Sequence, residues 1–216
     1  MPVENSIHTF SLSRWLVIVS ALSGVSFLAV DIPLARFFAG INDRGILHAF
    51  EIITMLGNPV YWLGGSLSAV IISWCGRRLF GAGFPPGRWL RGCFYVFVSV
   101  FGSGLAVFIL KEVTGRLRPQ DLSPGATPVV TGAISHHLAL SFPSGHSAAA
   151  FAVATAASIM DPRWRFGMMI AAAAVAASRI VLNAHFLSDV MAGGYIGFAT
   201  AILFARWFQE AGAGVI

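Results

Sequence analysis

Three short stretches of the chain carry residue types that could handle a negatively charged group. KEVTGRLRP, residues 111–119, holds Lys111 and Arg118; SFPSGHS, residues 141–147, sets His146 after Ser144 and Gly145; SRIVLNAHFLSD, residues 178–189, holds Arg179, His185 and Asp189. If the first stretch stays helical to the residue before Pro119, Lys111 and Arg118 share one face about 10 Å apart. Two cations on one stripe repel each other unless an anion sits beside them. Pro143, Ser144 and Gly145 read as a helix start, whose free N–H groups favour a phosphate. In the third stretch Arg179 ends one apolar run, Asn183 and Ala184 can make the turn, and His185 and Asp189 open the next run. Their i, i+4 spacing puts them on one helix face. A carboxylate accepting the Nδ1 proton fixes the imidazole tautomer and leaves Nε2 free as a nucleophile.

Each feature alone has a plainer reading. A His–Asp pair at this spacing is often a buried hydrogen bond, and a cation at the end of an apolar run often snorkels to the interface. Glu112 reads as a local salt-bridge partner of Arg116 at i+4, and His136 and His137 as solvated loop residues at an entrance. Together, however, three cations, a helix N-terminus, two histidines and one carboxylate form an inventory for moving a phosphoryl group. The transition state of that transfer spreads negative charge over its oxygens.

The elements that must position these residues are apolar. Of 216 residues 56% are hydrophobic and 11% charged, against about a quarter charged in soluble domains, and the mean hydropathy is +0.77. This composition predicts an all-α polytopic membrane protein, built as one domain over 1–216. Unbroken apolar runs favour helices over a barrel, whose strands would alternate. Six runs approach the ~20 residues needed to cross a bilayer, at 15–34, 56–75, 92–112, 146–160, 167–183 and 187–208. The first is read as a retained span. Between the first two, Ile46, Phe50 and Ile53 recur at helical spacing behind a capping Asp43, either as an interfacial helix or as an early start to the second span.

The net charge of +5 does not imply nucleic acid, because the basic residues sit at the ends of the apolar runs. Arg14, Arg77, Arg78, Arg88, Arg91, Arg163, Arg165 and Arg206 fall on one side of the six-span arrangement. By the positive-inside rule that side is cytoplasmic, with both termini inside, and the three stretches face out. Cys75 and Cys93 flank the cytoplasmic connection and read as free thiols.

The three stretches fit K-x6-R-P, P-S-G-H and S-R-x5-H-x3-D. In this order they resemble the motifs of the type 2 phosphatidic acid phosphatase (PAP2) superfamily, whose helical core is shared with vanadium haloperoxidases. The resemblance spans residues 111–189 and implies a bacterial membrane lipid phosphatase that needs no metal and no cofactor. It implies that His185 attacks phosphorus, oriented by Asp189, and forms a phosphohistidine. His146 would protonate the leaving oxygen and then activate water. Lys111, Arg118 and Arg179, with Ser144 and the Gly145 amide, would hold the phosphoryl oxygens. The substrate would be a lipid phosphate or prenyl diphosphate: phosphatidylglycerophosphate, phosphatidate, a lipid A phosphate, or undecaprenyl diphosphate in particular. The rivals are a zinc enzyme drawing on His136, His137, His146, His185 and Asp189, and a lipid-phosphate transporter or binding protein. The motifs leave the oligomeric state open.

Overall fold

Each apolar run becomes a helix because a bilayer leaves every backbone N–H and C=O to be satisfied within its own segment. The computed structural model describes residues 11–81, 87–122 and 140–212. Helix α1, Leu12–Val25, starts at a Ser11 cap and runs through a π-helical turn, Ser26–Val30, into α2, Asp31–Ala39. Helix α3, Arg44–Met55, has its own cap: Asp43 accepts from the backbone N–H of Gly45 at 2.8 Å and of Ile46 at 3.0 Å. It is thus a separate element. A turn at Leu56, Gly57 and Asn58 follows, and α4, Pro59–Phe80, begins on the Asn58 cap with proline in its first turn, where no N–H is needed. The remaining helices are α5, Gly87–Thr114; α6, Gly145–Met160; α7, Arg165–Val181; and α8, Leu187–Glu210.

Among the described residues, five segments are long and apolar enough to cross a membrane: Leu12–Ala39, Arg44–Phe80, Gly87–Thr114, Pro162–Val181 and Leu187–Glu210. The chain is an all-α polytopic membrane protein. Its sixth apolar helix, α6, has only 16 residues, about 24 Å against about 30 Å of hydrocarbon. One of its ends must therefore stop short of the bilayer surface. Large apolar side chains lie exposed on the outside, Leu28, Phe37, Ile72, Phe108 and Ile170 among them, as expected of a surface that faces lipid. Cys75 and Cys93 are free.

The centre of the bundle is α6, packed against α5, α7 and α8. Its alanines 148, 149, 150, 152, 154 and 156 are buried, and small side chains let backbones approach where no hydrophobic force drives helices together. Tyr95 and Phe208 pack with Ala156, Ile202 and Ala205 at one end, and the Tyr95 hydroxyl donates to the Ala201 carbonyl at 2.8 Å. The first apolar segment belongs to the bundle: α1 packs on α8, and the Tyr195 hydroxyl donates to Leu12 O at 2.8 Å.

The seam between α6 and α8 is closed by glycines. A Cβ on Gly193 would overlap the Ser144 carbonyl, and one on Gly197 would overlap the Ala148 carbonyl and reach Ala152 N at 2.8 Å. These neighbours are backbone and cannot swing aside. Gly197→Ala is expected to lower stability by about 1–3 kcal/mol through overpacking, read as a lower unfolding midpoint in detergent. Gly64→Ala, whose added methyl meets nothing within 4 Å, should leave the midpoint in place.

Candidate active site

Helix α5 delivers Lys111 and then stops. It ends at Thr114, and Gly115, at φ 58°, takes the left-handed conformation that closes a helix C-terminus, its N–H bonded to Lys111 O at 2.9 Å. The chain continues extended, and Leu117 forms an antiparallel bridge with Leu140. The expectation of one helix running to the residue before Pro119, with Lys111 and Arg118 on a single stripe, is therefore wrong. Glycine at that position breaks the helix one turn early. What the break achieves is a cross-link: the Arg116 carbonyl accepts from Ser141 N at 2.6 Å, and the Thr114 hydroxyl donates to Phe142 O at 3.1 Å. Lys111 Nζ donates to the carbonyls of Leu140 and Ser141, so the ammonium is pinned against the turn that leads into α6.

That turn passes a cis Phe142–Pro143 bond and reaches Ser144, the N-cap of α6. Ser144 Oγ accepts from the Ser147 hydroxyl at 3.0 Å, and Ser144 N donates to the Asp189 carbonyl at 3.0 Å. The start of α6 and the His–Asp segment are thereby bonded to each other directly. His146, one residue into α6, is backed by the α3–α4 turn, because a Cβ on Gly57 would lie 3.0 Å from the His146 carbonyl oxygen.

Helix α7 ends at Val181, and Asn183 at φ 51° turns the chain. The Arg179 carbonyl accepts from both Ala184 N, at 3.0 Å, and His185 N, at 3.1 Å, which fixes the histidine backbone. His185 lies before α8, whose N-cap is Phe186, and not on the α8 face that its spacing from Asp189 suggests. Asp189 instead folds back as a capping residue, its Oδ2 accepting from Phe186 N at 2.9 Å. This places Oδ2 3.6 Å from His185 Nδ1. Ser141 lies between the two, donating to Oδ2 at 2.5 Å with its Oγ 3.4 Å from Nδ1. Burial lowers the His185 pKa to about 4; Asp189 opposes the shift, while Lys111 and Arg179 add to it. The imidazole is neutral at physiological pH, the form a nucleophile requires.

The cations complete the group. Lys111, Arg118, Arg179 and His185 all lie within electrostatic range of His146. Arg179 donates to the Thr54 hydroxyl at 3.0 Å. The Nε–H groups of Arg118 and Arg179 are buried with no hydrogen-bond partner among the described residues. Buried donors without partners are rare, and these two can serve an anion. The structure thus brings together Lys111, Arg118, Ser144, Gly145, His146, Arg179, His185 and Asp189. His136 and His137 lie outside the described residues, and Asp121 is the exposed last residue of a single turn, Pro119–Asp121, whose Pro119 is buried.

Arg116 corrects the sequence reading outright. It is 1% exposed and pairs not with Glu112 but with two distant carboxylates. Its Nη1 donates to Asp189 Oδ1 at 2.5 Å and to Ser188 Oγ at 2.6 Å, and its Nη2 donates to Asp31 Oδ2 at 2.6 Å. The guanidinium carbon sits 4.8 Å from the Phe27 ring centre and 4.0 Å from that of Phe186. Helix α5 ends before Arg116, so the i+4 geometry that would offer it Glu112 does not exist. Asp31, Ser141, Ser188 and Thr54 were also missed. Only Asp31 carried a signal: a lone acid inside an apolar run is a functional candidate by default.

The fold is that of a polytopic helical membrane protein, and its gathered cations, histidines and carboxylate are the kinds of group a phosphoryl transfer uses. A family model for the PAP2 superfamily matches residues 92–213, and the chain belongs to that superfamily. It is 35% identical over 205 residues to the lipid A 1-phosphatase of Rhizobium etli, covering 89% of this chain and 86% of that protein. A second lipid A 1-phosphatase, from Rhizobium johnstonii, is 28% identical, covering 84% and 76%. Among solved structures, the transmembrane PAP2-type phosphatidylglycerolphosphate phosphatase of Bacillus subtilis superposes with a TM-score of 0.65 at 22% identity, covering 93% of this chain and 94% of that one. Aquifex aeolicus LpxE gives 0.59 at 19% identity, covering 82% and 96%. The chain is a membrane lipid phosphatase of this superfamily.

Proposed function

We propose that this enzyme removes the 1-phosphate of lipid A through a phosphohistidine, without a metal ion, at the outer face of a bacterial-type inner membrane. One observation carries the chemistry: a neutral, buried His185 has Asp189 Oδ2 3.6 Å behind its Nδ1, in a site where the Nε–H groups of Arg118 and Arg179 have no partner among the described residues. The choice of lipid is supported by the two lipid A 1-phosphatases similar to this chain over most of its length. The orientation is supported by the arginines at the opposite ends of the helices, which the positive-inside rule assigns to the cytoplasm together with both termini.

In the first step His185 Nε2 gives its lone pair to phosphorus while the bond from phosphorus to the leaving oxygen breaks. His146 passes a proton to that oxygen, and the arriving phosphoryl anion favours the protonated form of His146. Asp189 stabilises the positive charge that His185 acquires, its Oδ2 held 3.6 Å from Nδ1 and steadied by the Ser141 hydroxyl. Lys111, Arg118, Arg179, Ser144 and the Gly145 amide hold the three phosphoryl oxygens as charge moves onto them. In the second step water attacks phosphorus, His146 takes the water proton, the P–N bond breaks and His185 returns neutral. General acid–base help of this kind contributes typically about 10²–10⁴-fold.

The test is phosphate release in detergent micelles from lipid A, phosphatidylglycerophosphate, phosphatidate and undecaprenyl diphosphate. Lipid A is expected to turn over fastest, the rate to survive a strong chelator, and vanadate, which adopts the geometry of the phosphoryl transition state, to inhibit. Turnover that depends on an added metal would overturn the chemistry, and preference for another lipid would overturn the substrate.

A further inference from the structure

No phosphate-handling group lies on the first membrane helix, yet that helix reaches the site through a deviation from α-helical geometry. In an α-helix, residues five apart differ by about 140° around the axis and cannot face each other. Here Ser26 and Asp31 do: Asp31 N bonds to Ser26 O across a π-helical turn, and the Ser26 hydroxyl donates to Asp31 Oδ1 at 2.7 Å. Turns of this type inside longer helices recur at functional sites. The extra residue swings Asp31, 1% exposed, onto the start of α8. There Oδ1 accepts from Ser188 N at 3.1 Å, and Oδ2 accepts from the Ser188 hydroxyl at 2.5 Å and from Arg116 Nη2 at 2.6 Å. Asp31 thus receives four hydrogen bonds from described residues, including the Ser26 bond, and shares the Arg116 guanidinium with Asp189 Oδ1.

We propose that Asp31 is a positioning residue for the hydrolase site: it shares the Arg116 guanidinium with Asp189, so that Asp189 keeps Oδ2 and its charge available to His185. This rests on the nucleophile reading of His185. One guanidinium lies between two carboxylates, leaving the cluster with a net negative charge that faces the imidazole. Without the Asp31 charge, Arg116 is neutralised by Asp189 alone, and the histidine loses the stabilisation of its positive form on which phosphorylation depends. Among the described residues, the other charged groups around His185 are Lys111 from α5, His146 from α6 and Arg179 from α7, with Arg118 of the extended segment beyond them beside His146 and Arg179; none of them changes in the comparison.

The experiment measures lipid A turnover by wild type, Asp31→Asn, Ser26→Ala and His185→Ala, normalised to folded protein, across a pH series. Asp31→Asn keeps the shape of the side chain. It should lower kcat about tenfold to a hundredfold, as loss of the outer partner of an oriented histidine does, with KM nearly unchanged. The acidic limb of kcat/KM should move to lower pH, because an unshared guanidinium disfavours the imidazolium. Ser26→Ala should shift both in the same direction by less. A purely structural role would reduce the yield of folded protein and leave kcat per folded site and the limb in place, and that result overturns the inference. If Asp31→Asn yields no folded protein, Ser26→Ala decides by the same two readouts. Turnover retained in His185→Ala would overturn the nucleophile reading itself. Loss in His185→Ala with wild-type kcat and limb in Asp31→Asn overturns only the role of Asp31.

Discussion

Replacing His185 by alanine is expected to lower lipid phosphate turnover by roughly 10⁴-fold or more, the scale seen when the member of a catalytic group that makes or breaks the covalent bond is removed. The loss should fall in kcat. The phosphoryl oxygens are assigned to Lys111, Arg118, Arg179, Ser144 and the Gly145 amide, and none of these depends on the imidazole for its place. Lys111 is pinned by the carbonyls of Leu140 and Ser141, and Arg179 by Thr54. The His185 backbone bond to Arg179 O survives the change. The variant should therefore keep its unfolding midpoint and its affinity for vanadate while failing to acquire acid-labile label from ³²P-lipid. A residual rate within about tenfold of wild type would assign the attack on phosphorus to another group, since a tenfold change is only about 1.4 kcal/mol of barrier.

The second large effect is on stability. Arg116→Ala leaves Asp31 and Asp189 facing each other, 1% and 0% exposed, without the cation both depend on. Removing one partner of a buried ion pair costs about 3–5 kcal/mol, because the remaining charge is left uncompensated. The loss here should sit at or above the upper end of that range. Two carboxylates are stranded, and the space between the Phe27 and Phe186 rings is emptied as well. Thermal or denaturant unfolding in detergent reads it directly. Arg116→Ala combined with Asp31→Asn should recover part of the midpoint, since the double change removes one of the stranded charges.

The contrast between these two residues shows what was legible in the sequence. His185, Asp189, Lys111, Arg118, Arg179 and the Ser144–His146 helix start each stand in a short stretch whose residue types single them out, and the structure brings those stretches together. The spans were legible too, since a run of apolar residues is itself the physical requirement for crossing a bilayer. Arg116 was misread because its partners are 85 and 73 positions away, while a plausible partner, Glu112, stood one turn back. Reading that pair required a helix which Gly115 ends. Ser141 was overlooked for a related reason: its contact with Asp189 depends on the Leu117–Leu140 bridge, a pairing of two segments too short to show a strand pattern. The i, i+4 argument for His185 and Asp189 paired the right residues by the wrong geometry, a helix cap rather than a helix face.

The bond from Ser144 N to the Asp189 carbonyl, behind which Gly193 leaves no room for a methyl group, has a consequence for how the enzyme chooses among lipids. The two halves of the proposed anion cradle are spliced backbone to backbone, which resists its stretching for a bulkier guest or shrinking for a slimmer one. Any tetrahedral phosphoryl group meets the same rigid mould. Selectivity must therefore be written into the walls that meet the sugar, glycerol or prenyl portion, and evolution could retune the diet of such an enzyme there without disturbing its chemistry.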